Sequence, residues 1–70
     1  MTRIEELRRE AKLTQEELAL ASGINFGTVR VILRTGTGRV ENLRRLAEVF
    51  TKHLKRRVRI EDLLSEEVAS

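Results

Sequence analysis

Apolar residues recur every three or four positions along most of the chain, the spacing that turns one stripe of a helix toward a core. Ile4, Leu7 and Ala11 form the first stripe, and Thr2 with Glu5 ahead of it has the Thr-x-x-Glu pattern of a capping box. A first helix is therefore expected to run to about Ala11, with Glu5 and Arg9 as an i,i+4 pair on its outer side. Lys12 and Leu13 make the connection, with Leu13 pointing inward. Thr14 and Glu17 repeat the capping box, so a second helix should start at about Gln15 and bury Leu18, Ala19 and Ala21. Gly23 is placed to end it in the left-handed conformation that glycine adopts without Cβ strain. Asn25 is a good N-cap for a third helix over Phe26 to Arg34, which buries Val29, Ile32 and Leu33. Ile24 and Val29 stand at the spacing of a hydrophobic staple, which sets the angle at which that helix begins.

Thr35 to Arg39, TGTGR, is the one loop rich in turn residues. It lacks the G-x-x-x-x-G-K-[ST] pattern and a preceding strand, so nucleotide binding is not expected there. A fourth helix follows from about Val40 to Leu54, with Val40, Leu43, Leu46, Ala47, Phe50 and Leu54 as its core face and Arg44, Arg45, Glu48 and Lys52 opposite. Lys55-Arg56-Arg57 is a basic connection suited to solubility, and Val58 is expected to tuck back onto the core. A fifth helix, about Ile60 to Glu67, carries Ile60, Leu63, Leu64 and Val68, and its acidic end is expected to fray from about residue 66. The pattern describes an all-α fold, five helices in one domain over residues 1–70, with the second and third forming a helix-turn-helix.

Composition narrows what holds this fold together. There is no cysteine and one histidine, His53, so neither disulfides nor a Cys/His zinc site is expected. Stability must come from helix packing, or from packing plus dimerisation. No apolar run approaches the ~20 residues of a membrane span and the N-terminus is too charged for a signal peptide, so a cytoplasmic protein without a membrane partner is expected. The net charge of +3 conceals a strong asymmetry. Met1 to Asn25 carries −1, Phe26 to Arg59 carries +8, and Ile60 to Ser70 carries −4. The basic block begins on the third helix, which favours a nucleic-acid partner. The carboxylates are taken up by caps and helix-surface pairs, so an enzyme is not expected, nor a metal, a cofactor or a small-molecule ligand.

With those elements in place, the chain resembles the phage-repressor-like, Cro/Xre-type helix-turn-helix family. IEELRREAKLTQEELA looks like the family's opening, and Ala19, Gly23 and the aliphatics Leu18, Ile24, Val29 and Ile32 fall where the motif has its small residue, turn glycine and buried positions. LRRLAEVF and VRIEDLL look like its last two helices, so the resemblance covers nearly the whole chain. It implies a compact five-helix, lambda repressor-like DNA-binding domain whose third helix enters the major groove, whose width of ~12 Å admits one helix. The positions left facing outward are Asn25, Phe26, Gly27, Arg30, Val31 and Arg34, which in the family meet base edges and phosphates. Arg30 suits guanine, while Phe26 and Val31 suit thymine methyl groups. Phe26 has the alternative of folding back over the second helix. Gln15 resembles the family glutamine that binds a phosphate, and Thr28, Arg34 and Arg39 suit the backbone.

Family members usually present polar side chains at the places of Phe26, Gly27 and Val31, and they often have glutamate and then glycine where Leu33 and Thr35 stand here. The expected function is a sequence-specific regulator of transcription, a repressor acting as a homodimer on double-stranded DNA, with Leu64 and Val68 as dimer contacts. The alternative is a protein-interaction module of antitoxin or anti-repressor type, with a protein partner docked on an apolar face made by Phe26, Val31 and Leu33.

Overall fold

The structure, a computed structural model, describes residues 2–64. Five helices follow in order: α1 Arg3–Glu10, α2 Gln15–Ser22, α3 Phe26–Thr35, α4 Val40–Leu54 and α5 Ile60–Leu64. The expected extension of α5 to Glu67, its fraying end and the Val68 contact lie outside the described residues.

Each helix start has a local cause. Thr14 makes the complete capping box: its hydroxyl accepts from Glu17 N–H at 3.0 Å, and the Glu17 carboxylate accepts from Thr14 N–H at 2.8 Å. The box expected at Thr2 is only half made. Thr2 Oγ1 accepts from Glu5 N–H at 3.1 Å, but the Glu5 carboxylate turns away to Arg8, whose Nε and Nη2 donate to it at 3.0 and 2.8 Å. Arg8 is drawn there because its third nitrogen also donates to the Leu13 carbonyl at 2.7 Å, so one guanidinium spans helix and connection. Arg9, the expected partner, keeps a longer ion pair with the same carboxylate, its Nε 3.9 Å from Glu5 Oε2. While accepting from Glu5 N–H, the Thr2 hydroxyl also donates to the Leu33 carbonyl at 2.7 Å, tying the start of α1 to the end of α3.

Helix ends are as local. Gly23 ends α2 at φ 72° and Gly36 ends α3 at φ 79°, each with its N–H on a carbonyl of the last turn. Lys12 and Lys55 hold positive φ without being glycine, at a cost of roughly 1 kcal/mol each. Lys55 closes α4, and Arg56 beside it reaches across to Glu10 at the end of α1 with two hydrogen bonds. That contact gives part of the basic connection a structural use. Thr51 fixes the rest: its hydroxyl accepts from Val58 N–H at 3.0 Å and lies 3.2 Å from the Val58 carbonyl, pinning Val58 onto the core.

The core runs through all five helices, with Ile4, Leu7, Leu18, Val29, Leu43, Leu46, Phe50 and Leu63 essentially without solvent contact. α2 packs against α3 and α4, α1 against α3, α4 and α5, and α5 closes on α4. Two expected core positions are exposed, and two unexpected residues are buried. Ala21 faces solvent, and Ser22 is buried in its place, its hydroxyl satisfied by the Ala19 carbonyl at 3.2 Å. Val40 is 60% exposed at the first turn of α4, while Val49, which was not expected inside, is buried. Leu54 and Ile60 are half-buried at the rim.

Gly38 owes its identity to packing. A Cβ there would lie 2.9 Å from Ile32 Cγ1 and 3.2 Å from Cδ1, so the loop after α3 lies directly on a buried side chain of that helix. Gly38→Ala is expected to destabilise by about 1–2 kcal/mol through this overpacking, read as a lower urea midpoint with an unchanged slope. An unchanged midpoint shows that Ile32 yields freely.

The Glu5–Arg8 pair makes a pH-dependent contribution, with side chains only 18% and 14% exposed. Hydrogen bonding to Arg8 holds the Glu5 carboxyl below its ordinary value, against the opposing effect of burial. A depressed folded value means stability that is present above the ordinary glutamate range, near pH 4.3, and is lost as pH falls through the lowered one. Glu5→Gln is thus expected to cost about 1–2 kcal/mol at neutral pH. Its deficit should shrink toward zero in melts taken progressively below pH 4, and a deficit independent of pH rules out the ionic origin.

Candidate nucleic-acid interface

α3 separates its faces sharply. Val29, Ile32 and Leu33 point into the core, and Phe26, Gly27, Thr28, Arg30, Val31 and Arg34 are all exposed. The inward triad is what holds the outward set in register, because a rotation of α3 about its axis would expose all three aliphatics together. Ile24, buried ahead of the N-cap, anchors the turn from α2. Asn25 Oδ1 accepts from Gly27 N–H at 2.8 Å, and the Asn25 carbonyl accepts from Val29 N–H at 2.9 Å. The cap therefore uses the Asn25 side chain internally. A Cβ on Gly27 would stand 3.2 Å from that same Oδ1, so the glycine relieves crowding at the cap.

Phe26, Arg30 and Arg34 follow each other at i,i+4 along the outward stripe. The Arg30 guanidinium carbon sits 6.0 Å from the centre of the Phe26 ring, at the outer limit of a cation–π contact. Phe26 is 40% exposed and Val31 48%, large values for apolar side chains. Leu33, by contrast, is buried, which removes it from the apolar docking face expected under the protein-interaction alternative.

Beside this stripe an open groove of about 920 Å³ brings Gln15, Gly27, Arg30, Val31 and Arg34 together. Asn25, Phe26, Thr28 and Arg39 lie outside it. Its other wall is α1, through Thr2, Glu5 and Arg9. Arg9 was not among the residues expected at a site. In the sequence it reads as one half of a helix-surface ion pair; in the fold that pair with Glu5 is kept, long at 3.9 Å, while Arg9 stays exposed and lines the same groove as Arg30 and Arg34.

Three helix starts add donors. With Thr14 and Glu17 paired, the N–H groups of Gln15 and Glu16 have no acceptor among the described residues. At α3 the N–H groups of Phe26 and Thr28 are free in the same sense. Arg39 caps α4 with no side-chain hydrogen bond, so the first turn of α4 keeps its N–H groups unpaired beside a cationic side chain. Free N–H groups with the positive end of the helix dipole favour anions. What the arrangement offers chemically is therefore cation and N–H donors around a protruding helix.

Among the described residues no helix is long and apolar enough to cross a membrane. The family model that matches the chain is described as helix-turn-helix, and it covers residues 4–56, from α1 through the turn after α4. No curated protein and no solved structure matches the chain.

Proposed function

Because the chain belongs to the Cro/C1-type helix-turn-helix family, a DNA-binding family, we propose that it is a sequence-specific regulator of transcription that lays α3 in the major groove. The observation that carries this reading is the outward face of α3, which combines two arginines with two apolar side chains and is held by three buried aliphatics. Arg30 reads a base edge, most simply guanine O6 and N7, with the Phe26 ring restricting its guanidinium. Phe26 and Val31 contact thymine methyl groups, and Gly27 lets the backbone come close. Gln15, with the free N–H groups at the start of α2, holds a phosphate; Asn25, Thr28, Arg34 and Arg39 approach the backbone on either side. The protein acts as a repressor by occupying its site as a homodimer, with half-sites about one turn, ~10 bp, apart. Leu64, 42% exposed on α5, is the dimer contact within the described residues.

Selection of bound sites from a random duplex library tests this directly. Enrichment of a pseudo-palindrome is the expected result; a pool that stays random after several rounds defeats sequence-specific recognition. The burial of Leu33 weakens the alternative of a protein-docking face on α3, since it leaves Phe26 and Val31 as the apolar surface there.

The groove adds Arg9 to the backbone contacts. Arg9→Ala is expected to weaken binding equally on specific and random duplexes and to reduce the slope of log K against log salt by about 0.9, one phosphate. An unchanged slope places Arg9 outside the footprint.

A further inference from the structure

A second groove, of about 780 Å³, shares no residue with the first. It is formed by the end of α2, the length of α4 and the chain leading into α5, and α3 contributes nothing to it. Its rim carries Arg44, Arg45, Lys52, Arg57 and Arg59, against the single acid Glu48. None of those five cations is ion-paired among the described residues. Its floor is apolar, with exposed Ala21 at one side and Val58 and half-buried Ile60 at the other.

Cations gathered around an apolar trough repel one another, and an anionic occupant relieves that repulsion. The floor decides which kind of anion. A DNA backbone brings phosphates but no side chain to bury, so it would leave Ala21 and Ile60 unused. A helix with acidic residues along its edges and aliphatics on one face satisfies rim and floor together, the helix-in-groove mode of recognition. We propose that this groove docks an acidic, amphipathic helical segment of a partner protein, leaving α3 free for DNA. Arg45 is central to it, since its guanidinium reaches over the end of α2, 3.7 Å from where a Cβ on Gly23 would stand.

The test uses the full chain and a labelled helical peptide of about 14 residues, with leucines at i, i+3, i+4 and i+7 spacing among glutamates. Its control is an oligo-glutamate of equal length and charge. Saturable binding of the leucine peptide is expected by fluorescence anisotropy, with the control at least tenfold weaker. The double variant Arg45→Glu with Lys52→Glu, both positions exposed, should keep its helical circular dichroism, weaken the peptide at least tenfold and leave duplex binding within twofold. Equal binding of both peptides overturns the proposal, because charge alone then explains it. So does a loss of duplex affinity in the double variant, which makes the groove a phosphate surface. A wild-type dimer in sedimentation that the double variant dissociates overturns it as well, since the occupant is then the acidic α5 of a second copy, with Glu61 and exposed Leu64.

Discussion

Phe50→Ala is expected to cost about 3–5 kcal/mol, the range for removing a fully enclosed phenylalanine. Phe50 is the largest side chain with no solvent contact, and it sits in α4, the helix that α1, α2 and α5 all pack against. Truncation opens a cavity where those elements meet, and with no disulfide available the fold has no covalent cross-link to compensate. For a chain of this size total stability is roughly 4–10 kcal/mol, so the variant should be largely or marginally unfolded at 37 °C. The measurement is a thermal or urea melt followed by circular dichroism, where a fall in the midpoint on the order of 20 °C is expected. Leu20→Ala is the matched control: Leu20 is 84% exposed, and its change should stay within about 0.5 kcal/mol. Equal losses at both positions contradict the placement of the core.

The second large effect concerns recognition. Arg30→Ala is expected to weaken the selected duplex by about 1–3 kcal/mol, roughly 5- to 150-fold, and to relax preference at one base position only. Arg34→Ala should instead weaken all duplexes alike and flatten the salt dependence by about one phosphate, 0.9 in slope. The difference follows from the roles proposed for each, a base edge for Arg30 and a phosphate for Arg34, because both lie on the same exposed stripe and line the same groove. Binding of each variant to the selected site and to a random duplex, across a salt series, separates the two roles. If Arg30→Ala loses affinity equally on both duplexes, Arg30 is a phosphate contact and base reading falls to Phe26 and Val31.

Much of this was legible in the residues because it depends on near neighbours. Helix starts at Thr14 and Asn25, the end at Gly23 and the outward face of α3 are all decided within one or two turns, whereas α3 runs one residue past the expected Arg34, to Thr35, before Gly36 ends it. Val29 and Ile32 could be placed inside from the staple and the helical period, whereas Leu33, offered both to the core and to an outer face with Phe26 and Val31, was settled by packing. α2 was harder: Leu18, Ala19, Leu20 and Ala21 offer apolar residues all round, so the periodicity does not say which side is buried. The helix turns Ser22 inward, a polar residue that hydropathy would leave outside, because its hydroxyl is satisfied within its own last turn. Val40 and Val49 show the same limit on α4, where the first turn projects past the core and leaves Val40 bare.

By itself, then, the amino-acid sequence determined the elements of this protein: five helices, the caps at Thr14 and Asn25, the turn between α2 and α3, and the family to which that turn belongs. Caps, left-handed glycines and helical periods are short-range, and each is written in adjacent residues. The tertiary structure decided which groups meet across the fold. Glu5 has Arg8 and Arg9 at equally suitable spacings and pairs with both, but the two hydrogen bonds go to Arg8, which also reaches the Leu13 carbonyl. Arg9, more loosely held, lines a groove with Arg30 and Arg34, more than twenty residues away along the chain, a juxtaposition that packing creates and local spacing cannot express.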